Sequence, residues 1–142
     1  MTMATTKTPT TKPKENVTLK RRVRPGYVSH TELASADPNA TRAWCEKVMG
    51  WQFGEPMPTP DGPYNMWRFD EGSGGGIRKT NPGEPGGTTP YVEVDDIKAT
   101  HKAALKAGAK EMMPPTEVPG SGGWIAVVNA PGGVPVGFWS PK

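Results

Sequence analysis

The chain has 142 residues, of which 34% are apolar and 35 are glycine (18) or proline (17). That length holds one domain with a moderate core, and the glycine and proline content favours short strands and turns over a helical bundle. A single cysteine excludes an internal disulfide, and no apolar run is long enough for a signal-peptide core or a membrane span, so a cytoplasmic protein without membrane partners is expected.

The net charge of +3 is unevenly spread. Residues 1–24 are rich in Thr, Lys and Pro and set seven basic residues against Glu15 alone, a charge of +6 that leaves the remainder at −3. This reads as a disordered basic tail followed by one domain over residues 25–142. The cluster Lys20-Arg21-Arg22-Val23-Arg24 can hold phosphates, but no aromatic residues interleave with it. Nucleic acid is therefore the weaker reading, and it rests on the tail only.

From Gly26 the pattern becomes regular. Val28, His30 and Glu32 alternate with Ser29, Thr31 and Leu33, which predicts a strand with His30 and Glu32 on one face. Asp37 as cap, Pro38 in the first turn and Gly50 as a left-handed stop predict a helix between them. Within it Ala40, Ala43, Trp44 and Val48 form an apolar stripe predicted to face the core, with Cys45 at its edge as a packing residue. Trp51 to Glu55 reads as a second strand, 56–63 as a Pro-rich loop, Tyr64–Phe69 as a third strand and Gly74–Lys79 as a fourth. The glycines of that fourth strand lack the setting of a phosphate loop and predict close backbone packing.

After a Pro/Gly linker over 81–87 the same grammar returns. Thr89–Val94 predicts a strand, Asp95-Asp96 a cap, Ile97–Ala107 a helix with His101 toward solvent, and Gly108 its stop. The interval from Asp37 to Gly50 equals that from Asp95 to Gly108, as two copies of one unit would give. Three strands follow: Lys110–Met113 closed by Pro114-Pro115, Trp124–Asn129, and Val134–Trp139 after the turn Pro131-Gly132-Gly133. The expectation is an α+β fold of paired βαβββ units, 26–80 and 88–140.

Several phrases carry a resemblance beyond this pattern. They are His30 seven positions before Asp37, Met49-Gly50-Trp51, Tyr91-Val92-Glu93-Val94-Asp95-Asp96-Ile97, and Asn129-Ala130-Pro131-Gly132-Gly133 before Val136-Gly137-Phe138-Trp139. In this order they resemble the vicinal oxygen chelate superfamily, which contains glyoxalase I, bleomycin-resistance proteins and extradiol dioxygenases. The resemblance implies a cup-shaped, eight-stranded mixed sheet with two helices on its convex side, closed within one chain or across a possible homodimer.

The resemblance also implies metal ligands on the first and last strand of each unit. His30 is the only matching ligand position. Thr89 stands at its counterpart in the second unit, Gly137 on the last strand, and Gly76, Ile77 or Arg78 on the fourth. No metal or other cofactor is expected on that basis, the alternative being Ni, Zn, Mn or Fe held in another alignment. What remains on the inferred concave face is His30, Glu32 and Glu93 as catalytic candidates, since a histidine and a carboxylate there can share a proton. Tyr64, Trp67, Thr89, Tyr91, Trp124, Gly137 and Trp139 are candidates to wall a site for a small organic molecule. Two functions stay open: metal-independent binding of an apolar or aromatic molecule, and a lyase, isomerase or dioxygenase using His30 with Glu32 or Glu93.

Overall fold

A computed structural model describes residues 26–69, 72–120 and 122–141, so the expected tail lies outside the described residues. Nine elements follow in order: β1 (Val28–Ser35), α1 (Pro38–Met49), β2 (Asn65–Arg68), β3 (Gly74–Lys79), β4 (Gly87–Glu93), α2 (Ile97–Lys106), β5 (Lys110–Glu117), β6 (Trp124–Ala130) and β7 (Val134–Ser140). The strands form one mixed sheet in the order β2-β3-β1-β4-β7-β6-β5. In each half the first strand runs parallel to the last, β1 beside β3 and β4 beside β7. The halves join edge to edge within the chain, through antiparallel pairing of β1 and β4. No described helix is long and apolar enough to cross a membrane.

The predicted caps form. Asp37 accepts from Ala40 N at 3.1 Å, and Gly50 ends α1 at φ 66° and ψ 21°, a conformation that a Cβ disfavours. In α2 the cap is Asp96, accepting from Ala99 N at 3.0 Å, and Gly108 follows Ala107 at φ 104°. Since Asp96 rather than Asp95 caps, the second interval from cap to glycine is one residue shorter than the first.

Among the described residues the sheet has seven strands where eight were expected. Trp51 to Glu55 makes only the isolated bridge of Phe53 with Trp67, followed by that of Met57 with Tyr64. Pro56 and Pro58 have no N–H to give a ladder, and Trp51 turns its ring to stack on Trp67 at 4.3 Å. The opposite correction holds at β5, which runs through Pro114 and Pro115 to Glu117. It is the edge strand, so the missing donors cost little, and its register with β6 shifts on both sides of Met113.

Residues paired across neighbouring strands share a face, and this sets the layers. Ile77 of β3 pairs with Leu33 and Asn65, and Phe138 of β7 with Val92 and Ala126. Both helices cover this side. Val94, Ile97 and Ala126 form a buried cluster there, with Val92, Trp124 and Phe138 packed against it.

Helix α1 docks by a different stripe from the one its apolar residues predict. Trp44 and Val48 are 57% and 59% exposed, and Ala40 and Ala43 are exposed too. The docked face is instead Thr41, Arg42 and Cys45. Thr41 Oγ1 bonds Ser35 Oγ at 2.7 Å, while Arg42 donates to Asn65 Oδ1 at 3.0 Å and to the Gly54 carbonyl at 3.2 Å. Cys45, between these anchors, is 1% exposed, and burial pushes its thiol pKa up, with Glu46 adding to the effect. His101 is also corrected: it is buried, with Nε2 3.1 Å from Glu111 Oε2, close enough for an ion pair though not aligned as a hydrogen bond.

Candidate functional site

Two cross-strand rows define the face opposite the helices. One runs Gly137, Tyr91, His30, Gly74, Arg68, and the next Thr89, Glu32, Gly76, Met66. Glu93 and Trp139 pair one step beyond Tyr91 and Gly137 on the same side. His30, Glu32, Thr89, Tyr91, Glu93, Gly137 and Trp139 thus share one face, as strand parity predicts. Trp67 and Trp124 do not join them. Trp67 is buried on the helix side against Trp51 and Phe53, and Trp124 packs on the cluster of Val94 and Ile97 with Lys98 over its ring.

The glycines of this face are filled by their neighbours. A Cβ on Gly76 would overlap the Tyr64 ring and hydroxyl, and one on Gly137 would lie 2.5 Å from Tyr91 Cδ1. Tyr64, reached through its bridge beyond the start of β2, therefore lies over Gly76, while Tyr91 lies over Gly137. Each tyrosine needs its glycine.

A hydrogen-bonded chain links these groups. Tyr64 donates its hydroxyl to Glu32 Oε2 at 3.2 Å, and the Tyr64 hydroxyl oxygen lies 2.8 Å from His30 Nε2. Glu32 Oε1 accepts from Arg78 Nε at 2.8 Å, and the outer nitrogens of Arg78 bind both oxygens of Glu84. With the single Tyr64 proton given to Glu32, His30 must donate from Nε2, which leaves Nδ1 as the acceptor of a neutral ring. His30 also meets Tyr91 edge to face at 5.8 Å. His30 and Glu32 therefore communicate, but through Tyr64 and not directly. Glu93, 2% exposed, stands two residues along β4 from Tyr91.

Burial, and then the charge of Arg68, hold the His30 pKa below its ordinary 6.5. Burial first and the Glu32 carboxylate second raise the phenol pKa of Tyr64, and the same two causes act on Tyr91, so both keep their protons at neutral pH. Glu84 is drawn down to about 2, mainly by its bonds from Arg78. The site at neutral pH is a neutral imidazole and two neutral phenols beside an ion-paired carboxylate.

This arrangement does not suit a divalent metal. His30 pairs with Tyr91 and Thr89 with Glu32, with Gly76 beside Glu32 and Gly137 beside Tyr91, so these positions, to which the resemblance assigns ligands, hold one imidazole, one hydroxyl and two glycine hydrogens. Only the imidazole is a strong ligand, and its Nε2 is bound to Tyr64. Among the described residues no three His, Cys, Asp or Glu side chains gather closely enough to hold a metal ion.

The sequence profile of the Glyoxalase/Bleomycin resistance protein/Dioxygenase superfamily matches residues 27–138. The chain belongs to this superfamily. Solved structures of similar fold include a hypothetical protein from Bacillus halodurans (12% identity, TM-score 0.68, covering 84% of this chain and 96% of that one). Methylmalonyl-CoA epimerase from Streptomyces coelicolor, in complex with 2-nitronate-propionyl-CoA, aligns at 12% identity and TM-score 0.62 over 82% and 98%. A mutant 4-hydroxymandelate synthase from the same organism aligns at 19% and 0.66, over 82% of this chain and 39% of that one. No curated protein matches in sequence. At these identities the likeness shows the glyoxalase-type fold alone.

Arg78, Glu84 and Arg68 are the site residues that sequence reasoning gave no role. Alternation in the third strand already places Arg68 on the Tyr64 face, and Arg78 stands two residues from Gly76. The pairing of Arg78 with Glu84 has no such signal, because Glu84 comes from the Pro/Gly linker.

Proposed function

We propose that this glyoxalase-type protein is a metal-independent binder of a small aromatic or apolar organic molecule, held on the face that carries His30, Tyr64, Thr89, Tyr91, Gly137 and Trp139. The observation that carries the reading is the seating of Tyr64 on Gly76 and Tyr91 on Gly137, which puts flat rings where a metal site would need carboxylates. Rings with neutral hydroxyls and an imidazole give apolar walls with a few oriented polar groups, the usual make-up of a small-molecule site.

The experiment is an anaerobic titration of chelator-stripped protein with Ni²⁺, Zn²⁺, Mn²⁺ and Fe²⁺, followed by heat and tryptophan fluorescence, and then by a panel of small aromatic ligands. The expected outcome is no stoichiometric metal binding tighter than about micromolar, with saturable binding of at least one aromatic compound. Stoichiometric tight metal binding that disappears in His30→Ala overturns the reading.

A second reading, acid–base catalysis, rests on His30. A neutral ring with Nε2–H held by Tyr64 and Nδ1 as its acceptor nitrogen is the form a general base takes. Ligands found in the panel are therefore incubated in D₂O. Exchange of a carbon-bound hydrogen that is lost in His30→Ala makes the protein an enzyme, and absence of exchange leaves it a binder.

A further inference from the structure

The charges on the ligand face do not cancel locally. Glu32 is occupied by Arg78, and Arg78 by Glu32 and Glu84 together. Arg68, at the end of β2 on the same face, is exposed and pairs with no carboxylate among the described residues.

Its position relative to His30 is fixed by the sheet. Gly74 is the Cα partner of both His30 and Arg68, so the two lie in one cross-strand row with only Gly74 between them. Two strand spacings separate their backbones, about 10 Å. Gly74 has no side chain to fill that gap, and a Cβ there would collide with the Trp67 carbonyl oxygen on the neighbouring strand, so the gap is built into the backbone. It is floored by glycine, flanked on one side by a guanidinium, and on the other by His30 with Tyr91 edge-on behind it.

We infer that the molecule held on this face is an organic carboxylate, its charged group against Arg68 over Gly74 and its apolar body over His30 and Tyr91. The inference rests on the binding reading above and names its ligand class. A guanidinium presents two parallel N–H donors that match the two oxygens of a carboxylate. A monoanion fits better than a phosphate dianion, since Arg68 brings a single positive charge and Arg78 is already paired with Glu32 and Glu84. The neutral state of His30, held partly by Arg68 itself, means that the imidazole offers no competing cation in the absence of ligand.

The test uses the full chain and measures, by calorimetry or tryptophan fluorescence, affinities for phenylacetate, 4-hydroxybenzoate and cinnamate and for their three primary amides. Wild type, Arg68→Gln and Arg68→Lys are compared. At least one acid is expected to bind about tenfold or more tighter than its amide, as a charge-assisted pair would give. Arg68→Gln should abolish this preference, the acid affinity falling about tenfold toward that of the amide, with an unchanged urea-unfolding midpoint reporting an intact face, and Arg68→Lys should restore part of it. Amides binding as well as acids, or a preference that survives in Arg68→Gln, overturn the inference and leave the binding reading standing. Failure of all six compounds to bind overturns both.

Discussion

At the scale of single residues, His30 does the most with the least sequence signal. Its position on the face opposite the helices follows from strand parity, but its tautomer does not. That depends on Tyr64, 34 residues away, and on Glu32 taking the Tyr64 proton. Because burial and Arg68 lower the folded pKa, the unfolded chain binds more protons than the folded one in the interval between that lowered value and 6.5. Stability contributed by neutral His30 is therefore fully present above pH 6.5 and declines as the pH falls through that interval. His30→Gln keeps an amide donor for Tyr64 and removes the titration. Urea unfolding at intervals from about pH 8 to 5 should show a flatter dependence in His30→Gln than in wild type. Parallel curves would mean that His30 is not held neutral.

At the scale of elements, the helix caps, the turns and six of the strands are legible from local rules, because Asp, Gly and alternation act within a few residues. Misread elements are those decided by distant partners. Proline ends a strand only where a neighbour needs its N–H, so Pro114 and Pro115 are tolerated on the edge strand β5, whereas Pro56 and Pro58 leave only bridges beside β2. The run Gly74-Gly75-Gly76 reads as close packing from sequence, but what packs on it is visible only once Tyr64 is seen across the strand. The resulting dependence is testable by a cycle. Gly76→Ala alone is expected to destabilise by about 1–3 kcal/mol through overpacking against Tyr64. In a Tyr64→Ala background the same change should cost about 0.5 kcal/mol or less, so that the coupling energy carries most of the effect. Equal costs in both backgrounds would place the Tyr64 ring elsewhere.

For the whole molecule, the sheet separates a helix-covered face from the face proposed to bind ligand. One face is covered by both helices and holds Trp67, Ile77 and Ala126; the other holds His30, Tyr64 and Tyr91. Sequence reasoning placed Trp67 and Trp124 on the ligand side and Trp44 in the core because an aromatic residue on a strand or on an apolar helical stripe suits either role. Parity decides only after the register is known, and the docking face of α1 was set by Thr41, Arg42 and Cys45, polar or small residues that carry no hydrophobic signal. Since Trp67 is buried between Trp51 and Phe53, Trp67→Ala should cost about 3–5 kcal/mol in urea unfolding, the range for an aromatic cavity in a core. Trp44, more than half exposed on α1, should cost only about 0.5 kcal/mol when changed to Ala. A reversal of this order would mean that α1 docks through its apolar stripe after all. The helix would then be rotated on the sheet, and the Arg42 bonds to Asn65 and Gly54 that tie α1 to β2 and the segment before it would be lost with it.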